Sequence, residues 1–220
     1  MSLYTEIRKN EEIKALIKKG NDNLGVLGFT DHSEAHTVLV AERAAEILQK
    51  LGYSDKEIEL VKIAGYMHDI GNAINRSHHA EYGALLANTI LKDTNLSMEE
   101  RVTVLSAIAH HDESTGGATD VISAALIIAD KTDVRRNRVR QTDRTAFDIH
   151  DRVNFAVVRN QLSIDAQKKQ IILELDIDEE LCSMYDYFDI FLGRMLLSRA
   201  AAEKILGVKF KIRVNGNNVL

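Results

Sequence analysis

Among 220 residues there is not one proline. A proline costs a helix interior roughly 3 kcal/mol through its missing N–H and its clash with the preceding turn. A chain without any can run helices from cap to cap with no enforced break. With no tryptophan and only 5% aromatic residues, the core of those helices must come mostly from Leu, Ile, Val and Ala. The hydrophobic share of 45% and charged share of 28% are those of a folded globular chain and exclude a disordered one. The length is ample for one large core, with or without a smaller appendage.

Residues 5–20 predict a short charged amphipathic helix ending at Gly20, followed by a loop over 21–30. A long helix is expected from Thr30 or Asp31 to Leu51, stopped by Gly52. Ser54 and Glu57 stand at capping-box spacing, and Ile58, Val61, Ala64 and Met67 then recur at helical period toward Gly71. Further helices are expected over 78–92, from the Ser97–Glu100 capping box to about His111, and over 121–138. The run DESTGGATD at 112–120 is turn chemistry.

After Arg144 the pattern shifts to period two. Val153, Phe155 and Val157 alternate with polar residues, then Leu162 and Ile164, then Ile171 to Ile177, which predicts an antiparallel meander; after a helix over 178–206, Val208 to Val214 alternate again. The expected architecture is mainly α: an N-terminal helix (1–21), a helical bundle (22–144), and a small C-terminal α+β appendage (145–220) of antiparallel strands plus a long helix, packed on the bundle.

The 28 basic and 33 acidic residues leave a net charge of −5, so no global basic field favours nucleic acid or an anionic membrane. Cys182 has no partner for a disulfide, and no apolar run reaches membrane-spanning length. Both suit a cytoplasmic protein.

Seven of the eight histidines lie between His32 and His111, and none follows His150. His36, His68-Asp69, His79, His110-His111 and Asp130 together supply imidazole and carboxylate donors of the kind that hold zinc, iron, manganese or nickel. His68 and His110 fall at expected helix C-termini, where the partial negative charge favours a cation. Neighbouring helical residues point about 100° apart, so His68 and Asp69 can face one ion only where the last turn frays, which Gly71 permits. His32, His78 and His150 are read as ordinary hydrogen-bonded histidines, and Cys182 as a packed hydrophobe.

The ordered set His36, His68-Asp69, Asp130 resembles the H…HD…D pattern of the HD-domain superfamily of metal-dependent phosphohydrolases, over about residues 30–140. His68 follows His36 by 32 positions. His79 with Gly83, and the pair His110-His111, are similar to the expanded subset that holds two metals, which includes HD-GYP phosphodiesterases, ribonuclease Y and diadenosine-tetraphosphate hydrolases. Two departures stand out. Many members continue the doublet as HDIGK, where this chain has Asn72, with Arg76 as a substitute cation. The GYP motif is also missing after His111, which disfavours cleavage of cyclic-di-GMP.

The resemblance implies an HD-domain bundle that hydrolyses a phosphate ester or anhydride of a nucleotide or small phosphorylated metabolite by metal-activated water. The expected ligands are His36, His68, Asp69 and Asp130 for one divalent ion (Fe, Mn, Zn, Ni or Co, or else Mg). Asp69 is expected to bridge to a second ion held by His79, His110 and His111. Asp69 and Asp133 are the catalytic candidates, Asp133 as a supporting partner or general base. Lys131, Arg135 and Arg76 are the substrate-binding candidates, Lys131 and Arg135 being one helical turn apart in a basic run. A homodimer is a further expectation. A nuclease similar to the ribonuclease Y catalytic domain, and a non-catalytic metal-binding sensory or interaction module, are the alternatives.

Overall fold

The computed structural model describes residues 2–219. Its first two helices are α1 (Leu3–Ile7) and α2 (Glu11–Val26), separated by Asn10, whose side chain accepts from the Glu12 and Ile13 N–H groups. The helix expected to stop at Gly20 therefore runs six residues further. Gly20 is there for closeness: a Cβ on it would lie 3.0 Å from Asn72 Cβ and 3.2 Å from Ala73 N. It lets α2 pack directly on the turn that follows the His-Asp doublet.

Four helices form the bundle around that turn: α3 (Glu34–Leu51), α4 (Asp55–Met67), α5 (His79–Leu91) and α6 (Met98–Ala109). Gly52 ends α3 in the left-handed region at φ 84°. The capping boxes expected at Ser54–Glu57 and Ser97–Glu100 are both formed. After Met67 the chain tightens into a 3-10 turn over Ile70–Ala73. Helix α7 (Val121–Lys131), apolar almost all round, runs through the middle and packs on α3, α4 and α6.

Helix α7 ends at Lys131, not near residue 138, because the basic residues beyond it take their partners from other segments. Arg138 donates to the Asp31 and Asp133 carbonyls, Arg140 to the Phe29 carbonyl, and Arg136 to the Phe155 carbonyl. The helical-turn spacing assumed for Lys131 and Arg135 does not exist.

The C-terminal segment begins with a helix where a strand was expected. Helix α8 (Ile149–Ala156) is capped by Asp148, which accepts from the Asp151 N–H, and it buries Val153 and Ala156. The alternation of Val153, Phe155 and Val157 was too short to separate period two from the helical spacing of Ile149, Val153 and Ala156. Strands β1 (Val157–Asp165) and β2 (Gln170–Ile177) pair antiparallel. Helix α9 (Met184–Ala201), extended by a π turn over Ala202–Leu206, crosses to β3 (Lys209–Val214), which lies parallel to β2. A short β4 (Asn217–Asn218) completes the sheet order β1-β2-β3-β4. A helical crossover is what permits parallel pairing, so β3 joins β2 in parallel within an otherwise antiparallel sheet.

Helix α9 also packs on α7, with Tyr187, Phe191 and Met195 buried. Phe191→Ala should lower unfolding free energy by about 3–5 kcal/mol, measured by urea denaturation, because the ring is buried against a core that cannot collapse fully into its space.

Candidate metal centre

Four imidazoles converge because four different local structures aim them. His36 sits in the first turn of α3, and its Nδ1 donates to Asp133 Oδ2 at 2.7 Å. His68, directly after α4, donates from Nδ1 to the Gly65 carbonyl at 2.8 Å. His79, the first residue of α5, faces the Arg76 carbonyl at 3.0 Å, and His111, just past α6, the Ile108 carbonyl at 2.6 Å. Carbonyls and carboxylates only accept, so each ring holds a proton on Nδ1 and turns Nε2 inward. All four rings are buried.

The inward nitrogens surround two carboxylates. Asp69 Oδ2 lies 3.6 Å from His36 Nε2 and 3.3 Å from His68 Nε2, and Asp130 Oδ1 lies 3.4 and 3.6 Å from the same two atoms. Donors bound at about 2.0–2.1 Å to one tetrahedral ion stand about 3.3–3.4 Å apart. His36, His68 and Asp130 offer donor atoms that all lie within 4.8 Å of one another, as do His68, Asp69 and His111, so either trio could hold a divalent ion. His36 Nε2, His68 Nε2 and Asp69 Oδ2 are buried with no hydrogen-bond partner, as donors reserved for a cation must be.

The other oxygen of Asp69 faces a second group: Oδ1 is 3.7 Å from His79 Nε2 and 4.0 Å from His111 Nε2. Those two nitrogens are 3.2 Å apart with both Nδ1 protons committed elsewhere. Two facing lone pairs repel unless a cation lies beside them. Arg76 supplies one N–H, 3.3 Å from His79 Nε2.

Electrostatics support ligation. Burial and the neighbouring His68 and Lys131 charges push His111 down to about 3, and burial lowers His79 despite Asp69. Both are neutral donors. Burial opposes ionisation of Asp69 and Asp130, but His68 beside the first and Lys131 beside the second hold each carboxyl well below its usual range. For His68 burial disfavours charge, yet the two carboxylates outweigh it and push the imidazole up to about 10 in the metal-free protein.

Asn72, where a lysine was noted as missing, donates to Asp69 Oδ1 at 2.9 Å and to the Asp69 carbonyl at 3.0 Å. Its side-chain oxygen accepts from Arg76 at 3.4 Å. Gly71 lets this turn press on α5: a Cβ there would sit 2.0 Å from the His79 carbonyl oxygen. The frayed turn expected around the doublet is thus a fixed 3-10 turn.

The remaining candidates fall differently. Asp133 is buried behind His36 and also binds Arg135 Nε at 2.5 Å, so it orients the ring rather than facing the pocket. Arg135, held there, is not among the residues lining the small polar pocket at the centre, whereas Lys131 and Arg76 are. His110 turns its Nδ1 to the Ser106 carbonyl at 2.9 Å and lies outside both donor sets. Three residues not singled out from sequence also line the pocket: His32, Arg138 and, from α9, Arg194. His32 stands edge-on to His36, with ring centroids 5.4 Å apart. Its spacing of four from His36 was a readable signal. For Arg194 there was none.

The HD domain family model matches residues 34–151, more than half of the chain. The chain belongs to the HD superfamily of metal-dependent phosphohydrolases. All six inward-facing donors lie within the matched span. An uncharacterized protein of Methanocaldococcus jannaschii is 27% identical over 201 residues, covering 81% of this chain and 77% of that protein. Ribonuclease Y of Enterococcus faecalis is 33% identical over 108 residues, 48% of this chain but only 18% of that enzyme. No described helix is long and apolar enough to cross a membrane.

Two outcomes are expected. Asp133→Asn, which unlocks the His36 ring, should weaken metal affinity by about 10–100-fold with the fold intact, by chelator competition and circular dichroism. Because His68 loses its second proton only near pH 10 in the metal-free protein, metal must displace that proton. Apparent affinity should therefore fall by about tenfold for each pH unit lowered from 10 toward the ordinary histidine range.

Proposed function

We propose that this chain hydrolyses a phosphate ester of a nucleotide or other small phosphorylated metabolite, using two divalent ions bridged by Asp69. The observation that carries this is the division of Asp69: its two oxygens face two separate groups of buried nitrogen donors. His36, His68, Asp69 Oδ2 and Asp130 would hold the first ion, and Asp69 Oδ1, His79 and His111 a second. Bound divalent ions supply Lewis-acid polarisation of the phosphoryl group and activation of water. Iron, manganese, zinc, nickel or cobalt suits the nitrogen-rich donors better than magnesium does.

The chain's own residues do the rest. Asn72 and Asp133 are positioning residues, the first for the bridging carboxylate and the second for His36. Lys131, whose ammonium stays charged between Asp130 and Glu113 despite burial, and Arg76, which stands where the motif's missing lysine would put its charge, bind the phosphoryl oxygens. A groove of about 460 Å³ between α2 and the turn after His68 shares Asn72 and Arg76 with the metal centre. Its exposed Val26, Leu27 and Ile74 give the organic part of a small substrate an apolar wall.

The match to ribonuclease Y favours a second reading, cleavage of RNA phosphodiesters. Against it stands the net charge of −5, which lacks the basic field that tracks a long polyanion. Strongly salt-dependent RNA binding would support the nuclease.

The deciding experiment is metal analysis of anaerobically purified protein, followed by a panel of phosphomonoesters, phosphodiesters and nucleotides. Wild type should hold up to two ions per chain and turn over a small phosphorylated compound. Asp69→Ala should lose both metal and activity; full metal content in that variant would overturn the assignment.

A further inference from the structure

One acidic group beside the pocket lies outside the candidate metal-donor groups and pairs with two of the pocket's cations. Glu113 stands on the loop after α6, which is folded back on itself by the Gly116 N–H donating to the Asp112 carbonyl at 2.7 Å and the Gly117 N–H to the His110 carbonyl at 3.0 Å. Its carboxylate spreads over two cations. Oε2 is 2.8 Å from Lys131 Nζ, and Oε1 is 3.1 Å from Arg194 Nε.

Both cations belong to the metal pocket. Lys131 Nζ also lies 2.7 Å from Asp130 Oδ2, the oxygen that complements the one facing His36 and His68. Arg194 comes from α9, beyond the matched HD segment, and lines the same pocket as Asp69, His111 and Asp130. Its guanidinium carbon lies 5.0 Å from the centre of the Phe191 ring, which is itself buried, so the arginine is braced from behind.

The three groups differ in what they can do. The Lys131 side chain is 7% exposed and keeps Asp130 as a fixed partner. Glu113 and Arg194 are similarly exposed, at 31% and 29%, but Glu113 stands on a surface loop whereas Arg194 stands on α9 with its guanidinium against the buried Phe191 ring. Glu113 is therefore the group placed to swing away. Once it leaves, an ammonium and a guanidinium beside the metal donors face a space that wants two anionic oxygens.

We infer that Glu113 occupies the place of the substrate's phosphate, and that Arg194 and Lys131 are the pair that receives the phosphoryl oxygens when Glu113 is displaced. This rests on the phosphohydrolase reading above and narrows its substrate class. The exchange makes and breaks no covalent bond; one anion replaces another between the same two cations. Displacing a carboxylate of charge −1 favours a ligand with more charge. A phosphomonoester carries about −1.5 to −2 at neutral pH and a diester only −1, so the pocket selects terminal phosphates. Arg194 makes the C-terminal segment a determinant of specificity.

The test is calorimetric titration of inorganic phosphate, with dimethyl phosphate as the diester probe, into the metal-loaded full chain. Glu113→Gln, Arg194→Ala, Arg194→Lys and the Glu113→Gln/Arg194→Ala double variant are compared with wild type, each checked for metal content and thermal melting. Glu113→Gln should tighten phosphate binding about tenfold and Arg194→Ala weaken it about tenfold, the scale of one charge-assisted hydrogen bond. Arg194→Lys should fall between wild type and Arg194→Ala. In the double variant the gain from Glu113→Gln should vanish, and wild type should prefer phosphate over dimethyl phosphate. Phosphate should also speed amide exchange over residues 112–117 of wild type as the loop is released.

Unchanged phosphate affinity in either single variant, or equal affinity for the two probes, would overturn the inference. So would loss of metal from Glu113→Gln, which would put Glu113 among the metal-holding groups. A wild-type protein that holds no metal at all fails the phosphohydrolase reading instead, and the metal analysis of the same samples tells the two failures apart.

Discussion

Four Nδ1–H groups, each committed to an oxygen behind its ring, determine what the centre of this molecule can be. The Asp133 carboxylate and the carbonyls of Gly65, Arg76 and Ile108 take those protons. Four Nε2 atoms are thereby left with nowhere to point but at Asp69, Asp130 and one another. Unmetallated, that arrangement is expensive: donors lie buried without partners and two imidazole lone pairs face at 3.2 Å. The surrounding helices hold it because the anchoring acceptors are mostly main-chain atoms at helix ends, where carbonyls are left over from the helical ladder. The same leftover carbonyls that end α4 and α6 thus fix the tautomers of His68 and His111.

The basic run after Asp130 shows how one charge pattern divides between structure and site. Arg135 and Arg138 close around Asp133, and Arg136 and Arg144 stack on Phe155 at 4.4 and 4.7 Å. Arg140 reaches back to the loop after α2. These arginines fasten an irregular segment that has few apolar side chains of its own. Lys131 and Arg138 alone of the run line the pocket, and Arg138 is tied to two carbonyls there. The pocket's other cations come from separate places in the chain: Arg76 from the turn after His68 and Arg194 from α9.

What could be read from sequence follows the range of the interactions involved. Capping boxes at Ser54 and Ser97, the stop at Gly52, and the His-Asp doublet before Gly71 are local signals, and each appears where local chemistry placed it. The set His36, His68-Asp69, Asp130 was legible as one converging cluster because a family pattern records a long-range convergence that local chemistry does not. Misreadings arose where one local rule met a tertiary demand. Gly20 looked like a stop, but its missing Cβ is needed for packing on Asn72. Residues 153–157 looked like a strand, but the Asp148 cap and a helical face that buries Val153 and Ala156 prevailed. The parallel pairing of β2 with β3, and the entry of Arg194 into the pocket, depend on where α9 crosses, and no pattern inside any single element encodes that.

Asn72 shows how geometry is imposed on the centre. Its amide donates to Asp69 Oδ1 and the Asp69 carbonyl, fixing the carboxylate plane without neutralising it, and its own oxygen accepts from Arg76. Asp69 can then divide its two oxygens between the two nitrogen groups. In the metal-free protein a proton on His68 supplies the positive charge that these carboxylates require, and a metal ion can replace it with the same anchors in place. The geometry of these side chains is therefore set by Asn72, Asp133 and three backbone carbonyls, which reduces the reorganisation that binding a cation would demand.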